Sequence, residues 1–350
     1  MPPKVVLVTG VSRYLGSRLA AQLAAEEKIE RVIGVDTAPP RREMLQVLGR
    51  TEFVRADIRS PQILKVVAGE HVDTVVHLDI TAIPSDVGGR SSMKERNVIG
   101  TMQLLAACQR SDHVRKLVLK SSTAVYGSSP RDPALFTEED GPKEQPRSGF
   151  AKDAAEIEGY VRGFARRRPD VAVSLLRFAN FLSPHLDTPL TRYFTLPAMP
   201  VVFGHDPRLQ FIHLDDGLEV MRLATVDDRP GTVNVAGAGV LPLSQAIRRA
   251  GRVAIPVLPV VAGLVGRAVR GSRLVDFSPE QLAFLRYGRG VDTSRLTGEF
   301  GYLPRYTTVQ AFDDFVRGRN LTSPISPAVL EVVEQAILDR IRGDAREDDR

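Results

Sequence analysis

Val5-Val6-Leu7-Val8-Thr9-Gly10-Val11-Ser12-Arg13-Tyr14-Leu15-Gly16 runs a short apolar strand into a glycine-bearing turn and then, from Ser17, into a helix. A strand, a glycine turn and a helix in direct succession form the context that a dinucleotide fingerprint requires. Gly10 permits the tight turn, and Gly16 lets the helix pack close to the sheet, so that its N-terminus can face a pyrophosphate. About twenty residues past Gly16, Asp36 closes a second apolar run. A carboxylate there accepts hydrogen bonds from the adenine-ribose hydroxyls and repels a 2′-phosphate, which favours NAD. Arg13, Arg41 and Arg42 can each answer a 2′-phosphate, so NADP stays open.

Outward from this turn, Val/Ile/Leu-rich runs alternate with segments of helical period: Val5–Thr9, Val32–Asp36, Phe53–Arg55, Thr74–Leu78, Leu117–Lys120 and Val171–Leu176. Short, nearly continuous apolar runs suit strands buried on both faces, with helical crossovers between them. The expected fold is therefore α/β, a Rossmann-type doubly wound parallel sheet over residues 1–177. After Arg177 the rhythm loosens and prolines 184, 189, 197, 200 and 207 interrupt it. Residues 178–322 read as mainly a smaller substrate lobe, with strands at Phe211–His213 and Thr232–Val235. Leu214–Thr225 and Ser244–Ala250 read as helices able to pack back on the main sheet. Residues 323–350 read as a helix, Val329–Ile341, and a frayed charged tail.

The chain has 350 residues, 43% of them hydrophobic, enough for a sizeable core. Net charge is +5 and the sequence pI is near 9.4. The arginines are scattered without interleaved aromatics, so no nucleic-acid partner is expected. Arg166-Arg167-Arg168 reads as a solvated cluster at a helix end. The single cysteine, Cys108, reads as core filler. With no export signal visible, the expected location is the cytoplasm. The uncharged stretch Val253–Gly266 is too short to span a bilayer. Arg267, Arg270 and Arg273 follow it at a spacing that suits a helix over a pocket or a subunit contact, with an amphipathic helix at a membrane interface as the alternative.

With the loop, Asp36, and Asp57-Ile58 after the third strand, the chain resembles the extended short-chain dehydrogenase/reductase family, the NAD-dependent epimerase/dehydratase group, from about Lys4 to Gly318. Further resemblance lies in Asn97-Val98-Ile99-Gly100-Thr101, in Ser121-Ser122-Thr123-Ala124-Val125-Tyr126-Gly127 and in Leu175-Leu176-Arg177-Phe178-Ala179-Asn180. The resemblance implies cofactor contacts from Gly10, Ser12, Arg13, Tyr14, Leu15, Gly16, Asp36, Asp57, Ile58, Leu78, Asp79 and Asn97. It implies a substrate-orienting serine at Ser122, and substrate contacts from Thr123, Asn180 and Arg208, the last within Arg208-Leu209-Gln210-Phe211-Ile212-His213. The implied substrate is a small molecule, a nucleotide sugar or a related carbonyl/hydroxyl compound, and homodimerisation through a helix bundle would suit the family.

Three departures from the family pattern matter. Arg13 replaces the middle glycine of Thr-Gly-x-x-Gly-x-x-Gly, and Asp79 stands in His77-Leu78-Asp79-Ile80 where the family has His-x-Ala-Ala. These two charges are expected to pair across the cleft, and His77 reads as an interior histidine. The third departure is the catalytic Tyr-x-x-x-Lys. Counting back from Glu158 puts Phe150 at the tyrosine and Ala154 at the lysine; the alternative register keeps Lys152 and puts Ser148 at the tyrosine. Neither register has the phenol whose ionisation the chemistry uses, and Lys152 is rotated about 200° from Ala154 around a helix.

Ser122, Thr123, Tyr126 and Asp153 are the remaining acid/base candidates, Tyr126 as a residue able to face the pocket and Asp153 more naturally as a solvated mid-helix carboxylate. The six histidines are dispersed, and no metal-ligand spacing appears. Three readings stay open: an oxidoreductase with altered catalytic residues, a catalytically silent dinucleotide sensor or scaffold, and a protein that has lost the cofactor with Arg13 and Asp79 filling its place.

Overall fold

The computed structural model describes residues 2–82, 89–144, 146, 149–257 and 278–321. The expected C-terminal helix and tail, the Arg267/Arg270/Arg273 segment and Ser148 lie outside the described residues.

The first half alternates strand and helix as its apolar rhythm requires. In order come β1 (Val5–Thr9), α1 (Tyr14–Ala24), β2 (Arg31–Asp36), α2 (Arg42–Leu45), β3 (Glu52–Arg55), α3 (Gln62–Gly69), β4 (Thr74–His77), α4 (Gly89–Lys94), α5 (Gly100–Arg110), β5 (Lys116–Ser122), α6 (Gly149–Arg167) and β6 (Ala172–Phe178). The second half contains β7 (Asn180–Leu182), α7 (Pro189–Thr195), β8 (Ala198–Val202), β9 (Arg208–Leu209), β10 (Phe211–His213), α8 (Leu214–Val226), β11 (Gly231–Val235), β12 (Leu241–Pro242), α9 (Leu243–Arg249) and β13 (Val253–Val257). Helices at Pro279–Tyr287 and Thr308–Gly318 follow.

The main sheet is parallel and seven-stranded, in the order β11-β6-β5-β4-β1-β2-β3. Successive residues of each strand point to opposite faces, which sorts the apolar runs into two cores. Val6, Val8, Val76, Val118 and Leu176 pack with Leu19 and Leu23 of α1 and with Leu218 and Met221 of α8. Leu7, Ile33, Val75, Leu117 and Leu175 pack on the other face with Ile63 of α3, Leu104 of α5 and Ile157 of α6. Connections diverge between β1 and β4, so the carboxyl ends of those two strands open the crevice where such sheets take ligands.

Two expectations for the second half are corrected. Thr232–Val235 does not belong to the smaller lobe; as β11 it pairs in parallel with β6 and completes the main sheet. Of the two helices expected to return to that sheet, α8 does so, but α9 packs its Leu243, Ala246 and Ile247 in a third cluster with Phe194, Phe211, Phe312 and Phe315. This cluster is distinct from the two that pack on the faces of the main sheet. Among the described residues no helix is long and apolar enough to cross a membrane.

Two readings of charged and thiol groups also resolve. Cys108 is buried, and burial pushes its thiol up to about 12, consistent with core filler. Arg168 is not solvated: its guanidinium donates to the carbonyls of Cys108, Ser111 and Val114 and pairs with Asp170, tying the negative end of α5 to the start of β6.

Candidate active site

The crevice at the β1/β4 switch point opens into a cleft of about 470 Å³. A wider depression of about 720 Å³, lined by Pro3, Glu26, Arg222 and Asp228, lies at the opposite, amino ends of the strands. Ligands of doubly wound sheets bind at the carboxyl ends, so the first cleft is the candidate site.

Its floor is the β1–α1 turn. Gly10 has φ +76°, a left-handed conformation that an L side chain resists, and a Cβ on Gly16 would fall 2.2 Å from the Gly10 carbonyl oxygen. No other residue fits at Gly16 without moving the helix from the sheet. Asp36, at the end of β2, accepts the Ser12 N–H on one carboxylate oxygen at 3.1 Å and the Thr37 N–H on the other at 2.7 Å. Turn and carboxylate are thereby held together, and the cradle fits a dinucleotide.

Behind the floor a buried relay joins β1, β4 and α5. The Thr9 hydroxyl accepts the N–H groups of Leu78 and Asp79 at 3.1 and 3.2 Å, so its own proton goes to His77 Nδ1 at 2.8 Å. His77 Nε2 therefore carries the ring proton and donates to Thr101 Oγ1 at 2.9 Å. Burial pushes this imidazole down to about 3, so it stays neutral and acts as the interior histidine the sequence suggests.

Arg13 and Asp79 do come together: Nε lies 3.6 Å from Asp79 Oδ1. Asp79 is 5% exposed, and Oδ1 has no hydrogen-bond partner among the described residues. Burial pushes the carboxyl up to about 6 against the pull of Arg13.

The expected cofactor residues divide by position. Gly10, Arg13, Tyr14, Leu15, Gly16 and Leu78 line the cleft. Asp57 pairs with Arg59 at 2.6 Å, and Ile58 is buried under Gly100. Asn97, in a π-helical turn at Glu95–Ile99, is fully buried and clamps Thr81 through both ends of its amide, at 3.0 and 2.9 Å. None of these three is among the residues that line the cleft.

The cleft wall also includes Lys120, Ser121, Ser122, Phe150 and Asn180. The Ser122 Oγ accepts the Ala124 N–H at 3.1 Å, which fixes the oxygen and leaves its proton for a ligand. Phe150 lines the cleft, while Ala154 is 2% exposed in the cluster of Tyr126, Phe136 and Ala236. The amino end of α6 is held firmly. Glu280 accepts the N–H groups of Phe150 and Ala151 at 2.9 and 3.1 Å, and Arg90 pairs with Asp153 through two contacts of 2.5 and 2.8 Å.

Two candidates are corrected by their positions. Tyr126 does not face the cleft: it stacks on Phe136 at 4.6 Å, accepts from Arg177 at 2.7 Å and lies 2.8 Å from Asn234 Oδ1. Burial raises its pKa, the opposite of what a base needs. Asp153 is fully buried by its bond to Arg90, where a solvated carboxylate was expected. Thr123 is buried and Arg208 is exposed on β9, and neither is among the residues that line the cleft.

Among the cleft residues that the sequence reading did not single out is Lys120. Lys120 donates from Nζ to the Ile80 carbonyl at 3.2 Å, and burial, seconded by Arg13, pushes its amine down to about 8. Its signal was the period of a strand, which puts Lys120 two residues before Ser122 and on the same face.

A sequence profile described as the NAD dependent epimerase/dehydratase family matches residues 6–236. The chain belongs to that family. An uncharacterized protein of Mycobacterium tuberculosis is 49% identical over 325 residues, covering 93% of this chain and 86% of the relative. A UDP-glucose 4-epimerase of Yersinia pestis is 29% identical over 187 residues, 51% of this chain and 54% of that protein. Among solved structures, dTDP-glucose 4,6-dehydratase from Bacillus anthracis in complex with NAD superposes with a TM-score of 0.67 at 18% identity, covering 91% and 96% of the two chains. A UDP-glucose 4-epimerase from Thermotoga maritima with UDP-glucose gives 0.68 at 18%, covering 90% and 98%. At these identities the structural likeness is one of fold.

Proposed function

We propose that this member of the NAD dependent epimerase/dehydratase family binds NAD and oxidises or epimerises a hydroxyl-bearing carbon of a nucleotide sugar, using an acid/base group other than the family's Tyr/Lys pair. The observation that carries the reading is the pairing of a dinucleotide cradle that keeps Gly10, Gly16 and Asp36 with a cleft whose wall offers Ser122 beside Phe150. Bound NAD supplies the hydride acceptor. The chain supplies the rest: backbone N–H groups at the head of α1 for the pyrophosphate, the Asp36 carboxylate for ribose hydroxyls, and the Ser122 hydroxyl to orient the substrate oxygen. Asp36 is buried beside Ser12 and opposes a 2′-phosphate, which favours NAD over NADP. The nucleotide-sugar class is supported by the similarity to the UDP-glucose 4-epimerases described above.

A second reading, a catalytically silent dinucleotide sensor, is favoured by Phe150, which has no proton to transfer. Titration calorimetry with NAD⁺ and NADP⁺, followed by a turnover screen with UDP- and dTDP-glucose, tests both. Micromolar NAD⁺ binding with turnover supports the first reading, binding without turnover supports the second, and no binding by folded protein rejects both.

A further inference from the structure

We infer that the side-chain amine of Lys120 is the acid/base group of this cleft, taking the proton of a substrate hydroxyl held beside Ser122. The inference rests on the dinucleotide-dependent reading above and names the group that reading leaves open.

Position comes first. Lys120 and Ser122 are two apart at the carboxyl end of β5, so both side chains leave the same face of the strand, and both line the cleft with Phe150 and Leu78. The Ile80 carbonyl holds Nζ at 3.2 Å through one N–H, which leaves the rest of the nitrogen available to a ligand.

Environment comes second. The charges acting on Nζ are Arg13 from the β1–α1 turn and Asp79 from the segment after β4, with neutral His77 close enough to feel the ammonium. Burial and Arg13 disfavour the ammonium, and Asp79 only partly restores it, so the amine titrates near 8. A base poised near working pH is the condition for efficient proton transfer.

Elimination comes third. Among the described lining residues, Arg13 keeps its proton at any working pH. Tyr14 and His185 stack on each other at 5.9 Å over the phosphate turn, and Asp187 is engaged by Arg192 at 2.6 Å. The serine hydroxyls do not ionise in water near neutrality. Lys120 remains.

In the step itself the substrate O–H bond breaks and an N–H bond forms at Nζ, so the neutral amine becomes an ammonium facing the Ile80 carbonyl. The hydride lost from the same carbon goes to an oxidised nicotinamide dinucleotide, the oxidant of the reading above. In the reverse direction the ammonium returns its proton to the oxygen.

Competitive acetylation of the full chain with acetic anhydride across pH 6 to ~11, read lysine by lysine by peptide mass spectrometry, tests this without any substrate. The expected result is a Lys120 midpoint near 8 and protection of Lys120, but not of exposed Lys152, by saturating NAD⁺. K120R and K120M should keep NAD⁺ affinity in calorimetry and lose turnover by ~10²- to 10⁴-fold, and K152M should lose none. A Lys120 that titrates with the exposed lysines in NAD⁺-binding protein, or a K120R variant with undiminished turnover, overturns the inference and leaves the dinucleotide reading standing. Folded wild type that binds no NAD⁺ overturns both.

Discussion

Replacing Asp79 with asparagine should make the protein more stable at pH 8 and should make no difference near pH 4. The carboxyl is 5% exposed, its Oδ1 lacks a hydrogen bond among the described residues, and Arg13 sits at 3.6 Å, too far to repay its lost hydration. Its pKa rises from 3.8 to about 6 in the fold. Between those values the folded state binds more protons at this site than the unfolded chain does. The contribution of Asp79 is therefore favourable below about pH 4 and is lost as pH rises through 6. A shift of about two units corresponds to about 3 kcal/mol at pH 8. With about 2.1 cal/mol/K of unfolding entropy per residue, a chain of this length gains about 4 °C from that amount.

The assay is paired thermal and urea unfolding of wild type and D79N at pH 4, 6 and 8. Differences between the two proteins cancel the other carboxylates, several of which are shifted the opposite way by arginine partners, Asp57, Asp170 and Glu219 among them. A D79N protein that melts at or below wild type at pH 8 would refute the account of Asp79 as a desolvated carboxylate. The same variant removes the one carboxylate that supports the Lys120 ammonium, so the Lys120 midpoint should fall below 8.

Other perturbations test separate parts of the structure. Arg177→Met removes the 2.7 Å partner of the buried Glu158 carboxylate, leaving it Arg162 at 3.1 Å and Ser121 at 2.6 Å, and should cost about 1.5–3 kcal/mol in urea unfolding; a loss under about 1 kcal/mol would show that the pair is not stabilising. Gly16→Ala places a Cβ 2.2 Å from the Gly10 oxygen and should abolish NAD⁺ binding in calorimetry, whereas unchanged affinity would mean the turn yields freely. Phe150→Tyr with Ala154→Lys reinstates the family pair on α6 and should raise nucleotide-sugar turnover by ~10²-fold or more, with some loss of stability because position 154 is closely packed. No gain in a folded, NAD⁺-binding double variant would place the family register elsewhere.

How much of this was legible depended on the distance over which each signal acts. The strands of the first half are runs of β-branched residues whose partners repeat a local βα rhythm, so their existence and common sheet could be read directly. Joining β11 to β6 could not, because Val233 meets Leu176 across more than fifty intervening residues and nothing in Thr232–Val235 names its partner edge. The phosphate turn was legible because glycine at positions 10 and 16 is demanded by backbone geometry alone. Tyr126 was not, because its hydroxyl is claimed by Arg177 and Asn234, residues brought in by two other strands.

Lys120 shows the same limit at the point that matters most. In sequence it is a polar end to an apolar strand; its chemistry depends on Arg13 and Asp79, each from a different loop. The structure also shows why its position is more than coincidence. Glu280 and Arg90 pin the amino end of α6, so Phe150 is held in the cleft wall and Ala154 in the core, and Lys152 on the same helix stays exposed. No modest motion of α6 returns a proton carrier to the cleft. An acid/base group for chemistry here has to come from another element, and β5 already presents one beside Ser122.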